Sequence, residues 1–193
     1  MRISLGFVAD DWKQLTFASE EEWQTAVSIF SERVSERFLQ PIARIDECDR
    51  AGFAVMALDC LLIEMLQQFR EGVHRTPAGK SKLYFINFLT KSSFGDSFTE
   101  KMAEVFYRQI RCGILHQAEV RGNSRILVDE EIPLVDFADS RSGVVVNRKS
   151  FHERLLQEFE RYKEELLDSE NEVLRNRFRR KMAYICQHAC EVI

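Results

Sequence analysis

The chain has 193 residues, 45% of them hydrophobic and 30% charged, enough apolar material for the core of one domain with an extension. A formal net charge of −4 gives no global attraction to polyanions and excludes a sequence-blind coat for nucleic acid, while leaving room for a local basic cleft. Fifteen Phe against three Pro and eight Gly argue for long, uninterrupted elements, and the expected class is mainly α.

Five cysteines, Cys48, Cys60, Cys112, Cys186 and Cys190, show no CxxC spacing. Cys186 and Cys190 share a face of any helix there but have no second ligand pair, so neither a metal nor another cofactor is expected. The start, Met1 to Gln14, carries no sustained apolar leader, and no stretch approaches the roughly 18 apolar residues of a membrane span. The expected setting is the reducing cytoplasm, away from membranes.

Taken in order, residues 1–18 read as an extended arm with a brief apolar run from Ile3 to Val8. Ser19 and Glu22 form the pattern of a capping box. The helix it opens carries Trp23, Val27, Phe30, Val34, Phe38 and Leu39 at helical spacing, and Pro41 is expected to end or kink it. Arg44 to Arg50 mark a turn or a continuing polar helix. Residues 50–71 predict a central helix, apolar on nearly every side and closed by Gly72. Glu64 falls on its apolar face, in line with Phe53, Ala57, Cys60 and Gln68. There it needs a donor or a cation, either as a satisfied core group or as a carboxylate steering an arginine.

The loop HRTPAGKSK lacks the spaced glycine and preceding strand of a phosphate-binding loop. Leu83 to Phe94 reads as a short aromatic helix or turn. A helix from about Ser97 to His116 buries Phe98, Met102, Val105, Phe106, Ile110 and Gly113. Its end, FYRQIRCGILHQ, holds Arg111 and His116 with four residues between them. A permanent cation beside a group titrating near neutrality suits chemistry on a phosphate. The plainer alternative makes His116 a helix C-terminal charge and Arg111 the counter-ion of Glu64. An ideal helix separates positions five apart by about 140°. Deformation at Gly113, the reach of Arg111 or a second copy across a two-fold axis would each reconcile them.

After Gln117, Gly122-Asn123 signals a turn, and Arg125 to Val128 and Gly143 to Asn147 read as strands of a small hairpin, with loop or a third short strand between them. Phe151 to Leu167 returns to helix, with Phe151, Leu155, Leu156, Phe159, Tyr162 and Leu166 inward and Glu153, Glu158, Arg161 and Glu164 on its polar face. A last helix runs from about Ser169 to Val192. Its basic cluster, Arg175, Arg177, Arg179, Arg180 and Lys181, is either a solvated face or a patch for RNA.

A helical core with a carboxylate on its second long helix and an R-x4-H near the end of a later one resembles the HEPN superfamily, helical proteins of prokaryotic defence, toxin–antitoxin and RNA-processing systems. Arg111 and His116 in FYRQIRCGILHQ carry the likeness, supported by Glu64 in CLLIEMLQQFREG and by RFLQPI at Arg37 to Ile42. The resemblance covers about residues 20–120 of a single domain spanning 1–193. The hairpin (about 121–148) and the C-terminal helices (149–193) elaborate an up-and-down bundle. It implies a homodimeric, metal-independent endoribonuclease with His116 as acid–base group, Arg111 as phosphate clamp and Glu64 as supporting carboxylate. Tyr107, Arg108 and Gln117 are the expected RNA contacts, and an antitoxin or other protein is an implied partner. Active members commonly place a polar residue, often Asn, straight after the Arg, where this chain has Cys112. The alternative within the same superfamily is a non-catalytic module binding RNA, a nucleotide or a protein.

Overall fold

One long helix begins where the sequence offers a cap. The Ser19 hydroxyl accepts from the Glu22 N–H at 3.3 Å and the Glu22 carboxylate accepts from the Ser19 N–H, the reciprocal box the pattern predicts. The same carboxylate takes the Thr16 and Ala18 N–H groups and the Thr16 hydroxyl; these bonds, the Thr16 N–H first, hold its pKa down to about 2. The computed structural model describes residues 2–138 and 142–188. Helix accounts for 66% of the described residues and strand for 7%, so the mainly α expectation holds and the described strands form one small sheet.

The chain divides into two compact units. The first comprises Met1–Ala43, Gln68–Arg75 and Phe159–Ile193, as far as these are described. It holds α1 (Ala9–Lys13), α2 (Glu20–Val34) and a π-helical turn (Ser35–Leu39) leading into α3 (Gln40–Asp46). It also holds the ends of α4 (Gly52–Glu71) and α8 (Arg148–Leu167), and α9 (Glu172–His188). Phe30 sits at the centre of an aromatic cluster, with ring centroids 4.6 Å from Phe69, 5.4 Å from Phe178 and 5.6 Å from Phe159. Fully burying each such ring is worth roughly 2–3 kcal/mol over leaving it in water.

Three expectations are corrected in this unit. Residues 1–18 are not simply extended: Arg2 pairs with Val8 and α1 follows, burying Ile3 and Trp12. Of the two outcomes expected at Pro41, an end or a kink, the structure overturns the end. The preceding π turn bonds the Gln40 N–H back to Ser35 O, and α3 continues through the proline, whose missing N–H falls where the i→i−4 ladder is already interrupted. The basic cluster is not simply a solvated face: Arg175 and Lys181 are buried and four of its five members donate to backbone carbonyls, while Arg179 and Arg180 are exposed. Gly72, at φ +63°, closes α4 in a Schellman arrangement, Gly72 N–H to Phe69 O and Val73 N–H to Gln68 O. Beyond it, Arg177 donates to Arg70 O, Arg180 to Glu71 O and Gly72 O, and Lys181 to His74 O. A side chain at position 72 would meet the Arg177 backbone at 2.7 Å. Arg175 likewise donates to Leu166 O and Leu167 O at the end of α8, pairs with Glu20 and stacks on Trp23. Arg179 lies over the Phe17 ring. The expected Cys190 and the end of the last helix lie outside the described residues.

The second unit comprises Arg44–Gln67 and Thr76–Glu158. It contains most of α4, then α5 (Ser81–Lys91), α6 (Glu100–Phe106), a π-helical turn (Tyr107–Arg111), α7 (Cys112–Gln117) and the first part of α8. Its core is a second aromatic group in which Phe106 stacks on Phe151 at 5.2 Å, and Phe94 packs on Phe151 at 5.0 Å. The inward stripe Phe98, Met102, Val105, Phe106 and Ile110 is buried as expected, but Glu158, assigned to the polar face of α8, is 1% exposed and accepts the Ser93 N–H at 3.1 Å.

The third short strand allowed between the two predicted ones is present, and the expected hairpin of those two is corrected to a three-stranded sheet of order β1-β3-β2, with β1 (Arg125–Leu127), β2 (Val135–Phe137) and β3 (Val144–Asn147). β2 and β3 pair antiparallel, whereas β1 runs parallel to β3 with Arg125 opposite Val145. The segment between the predicted strands supplies β2, which takes the hairpin position and leaves β1 on the far edge of β3. Asn147 ties the sheet to α8: its side-chain amide donates to Asp129 O and Ile132 O and its oxygen accepts the Ser150 N–H.

Among the described residues one helix, α4, is long and apolar enough to cross a membrane by length and composition, against the expectation that no stretch approaches that limit. Half of the apolar window is buried within the fold.

Candidate functional site

The second unit brings Glu64 and Arg111 together. Arg111 Nη2 donates to Glu64 Oε2 at 2.7 Å, with the two side chains 13% and 18% exposed. Glu64 Oε1 also accepts from the Thr76 hydroxyl at 3.2 Å and the Ser81 hydroxyl at 3.3 Å, so the carboxylate on the apolar helix is satisfied from three directions. These two donors fasten the 72–80 loop and the start of α5 to α4. The Arg111 guanidinium lies 5.4 Å from the centroid of the Tyr107 ring, which itself packs on Phe85. Burial opposes the charge on Arg111, but the Glu64 hydrogen bond and charge outweigh it, with the Cys112 thiol and Tyr107 adding to them, and its pKa is raised.

His116 is exposed near the C-terminus of α7 and makes no hydrogen bond, ion pair or ring contact among the described residues. The π turn ends at Arg111, before the ordinary α turns from Cys112 onward, so it leaves the 140° offset of an ideal helix between Arg111 and His116 in place. Gly113 does not relieve it by deforming. It serves a close approach instead, since a Cβ there would lie 2.3 Å from Glu119 O. Ala118, in the left-handed region at φ 54°, ends the helix directly after Gln117.

The other expected contacts are scattered around this pair. Arg108 is exposed and Gln117 accepts from Arg121 Nε at 2.8 Å. Clefts of about 390 and 450 Å³ lie around the sheet, and neither is lined by Glu64, Arg111 or His116. His116, Arg108 and Gln117 lie on open surface, whereas the Glu64–Arg111 pair is largely buried. Among the described residues no group of three or more His, Cys, Asp and Glu side chains is placed to hold a metal ion.

Two residues with structural weight escaped the sequence reading. Gln109, 8% exposed inside the motif, donates to Ser142 O at 2.7 Å and accepts from the Ser124 hydroxyl at 2.8 Å, locking the turn after α7 to the helix. Its signal was a polar residue beside the inward stripe. Asp59, fully buried, accepts from or donates to His152 Nδ1 at 2.8 Å, depending on protonation, and its second oxygen has no partner. Arg148 lies beside it and pairs with Asp46. The signal for Asp59 was the only acid between Phe53 and Ile63, and its partner stands 93 residues away.

Comparisons with protein-family models, curated proteins and solved structures found no match.

Proposed function

We propose that the protein is a metal-independent endoribonuclease of the HEPN type, working as a homodimer in a prokaryotic defence or toxin–antitoxin setting. The observation that carries this reading is Arg111, held by Glu64 over Tyr107 with its charge secured, while His116, without a partner among the described residues, stands exposed five residues on. A clamped guanidinium binds phosphoryl oxygens at little further entropic cost, and an exposed imidazole has Nδ1 and Nε2 available for proton transfer.

In the reaction, His116 of one protomer takes the proton of an RNA 2′-hydroxyl as that oxygen bonds to the adjacent phosphorus. The bond from phosphorus to O5′ breaks, and His116 of the second protomer gives O5′ a proton. The products are a 2′,3′-cyclic phosphate and a 5′-hydroxyl. Arg111 stabilises the charge that builds on the non-bridging oxygens. Two copies answer the angular offset, since the His and Arg that share a cleft then need not share a helix face. Phe53 and Leu61 on α4 and Leu83 on α5, 39%, 43% and 48% exposed, supply apolar surface of the kind a second copy covers. Arg108, exposed beside Arg111, adds charge for the RNA backbone.

A second reading, a binding module without cleavage, is favoured by Cys112. A thiol is a weak hydrogen-bond partner where active HEPN proteins commonly carry an amide. RNA cleavage in excess chelator, comparing the parent with His116→Ala and Arg111→Ala, decides between them. Loss of at least 100-fold in both variants, with secondary structure intact, is the expected result. RNA binding without cutting by the parent would establish the module, and undiminished cutting by His116→Ala would remove the site altogether.

A further inference from the structure

The first unit contains cations that meet no carboxylate among the described residues. Arg33 on α2 and Arg37 in the following π turn direct Nη1 and Nη2 at one acceptor, the Ile3 carbonyl oxygen, each at 3.5 Å. That distance is the outer limit of a hydrogen bond, so two guanidinium groups share one weak neutral acceptor and keep most of their N–H donors unspent. The neighbouring carboxylates are committed elsewhere, Glu36 to the Leu5 N–H and Glu32 to the Gly6 N–H. On α9, Lys181 is 6% exposed and its acceptors, Gln68 Oε1 at 2.8 Å and His74 O, are both neutral.

These groups feel one another. Burial first and the Arg33 charge second bring Lys181 down to about 8, and burial followed by Arg37 brings Arg33 down to about 10. One residue beyond Ile3, Ser4 is 3% exposed and its hydroxyl has no partner. Buried cations ordinarily sit against an anion, because an uncompensated charge in a low-dielectric setting is costly.

We propose that Arg33, Arg37 and Lys181, with the Ser4 hydroxyl, form a binding site for a phosphate group, carried either as inorganic phosphate or on a small phosphate monoester. A phosphate fits better than a carboxylate for two reasons. A dianion offsets more than one cation, and its several oxygens accept from two planar guanidinium forks, an ammonium and a hydroxyl at once. Arg37, exposed to solvent, marks the open side through which the ligand enters. The site belongs to the first unit and does not depend on the ribonuclease reading, whose residues lie in the second.

The test is isothermal titration of the full chain with inorganic phosphate, adenosine 5′-monophosphate and adenosine, in the parent and in Arg33→Gln, Arg37→Gln and Ser4→Ala. Binding of phosphate or the monophosphate to the parent is expected, with at least tenfold weakening in both arginine variants, a few-fold weakening in Ser4→Ala and none for adenosine. A monophosphate that binds tighter than phosphate assigns a monoester ligand; equal affinities assign the free ion. Arg37 is exposed, so its variant keeps the fold and decides the matter even if Arg33→Gln proves unstable. Absence of binding to the parent, or unchanged binding in Arg37→Gln, overturns the site.

Discussion

Glu64 and Asp59 stand five residues apart on α4, and each resolves the cost of a carboxylate in an apolar helix differently. Glu64 gathers a guanidinium and two hydroxyls. Because both charged partners are largely buried, Glu64→Ala should cost roughly 3 kcal/mol, leaving Arg111 uncompensated. Glu64→Gln, which keeps an acceptor for Arg111, should cost clearly less. Urea midpoints measure both, and a loss below about 0.5 kcal/mol for the alanine variant would reduce the pair to a screened surface contact. Asp59 has one partner for two oxygens, and burial, ahead of the opposing His152 bond, raises its pKa above 3.8. A carboxyl whose folded pKa exceeds its unfolded one adds stability that is complete below pH 3.8 and fades as the pH climbs through the folded value. Asp59→Asn never ionises, so its stability relative to the parent should be more favourable at pH 6 than at pH 3.5. An identical difference at both pH values would falsify the assignment. The sequence marked Glu64 as needing a donor or a cation because a charged residue broke an apolar line. It passed over Asp59 because the partner that makes Asp59 tolerable arrives from a distant helix.

At the scale of elements, what was legible is what is decided locally. The Ser19–Glu22 box, the Gly72 closure and the aromatic stripe of α6 each depend on residues within one or two turns, and all are present. The two π-helical turns, Ser35–Leu39 and Tyr107–Arg111, left no trace in the periodicity, because one inserted residue shifts the phase without changing the composition. The parallel pairing of β1 with β3 was hidden for a related reason: nothing in either short strand specifies a neighbour some twenty residues away. The end of α7 offers a direct test of local strain. Ala118 occupies a left-handed conformation that costs an L-residue about 1 kcal/mol, so Ala118→Gly should raise stability by about that amount. Thermal unfolding would report it as a higher Tm. A lower Tm would mean that the methyl group earns its place through packing.

On the scale of the molecule, the basic cluster carries the largest lesson for sequence reading. Five cations within seven residues of a chain with net charge −4 invite a polyanion, yet Arg175, Arg177 and Arg180 donate to carbonyls at the ends of α4 and α8, and Lys181 donates to the neutral His74 O and Gln68 Oε1. Charge counting along the chain sees the donors and not the acceptors, which are backbone atoms common to every sequence. The candidate catalytic residues were legible as residue types at a spacing, whereas their chemical relation required the tertiary pairing of α4 with the π turn.

The capping of α4 by α9 also fixes an order of events in time. The carbonyls of Arg70 and Gly72 wait for donors that lie 107 and 108 residues later in the chain. While the protein is being synthesised, the end of α4 leaves the ribosome long before α9 exists. A nascent chain stopped before Arg175 therefore has that helix end open to water, to chaperones or to a foreign donor. The first unit, assembled from three separate stretches, closes only when the last of them is made.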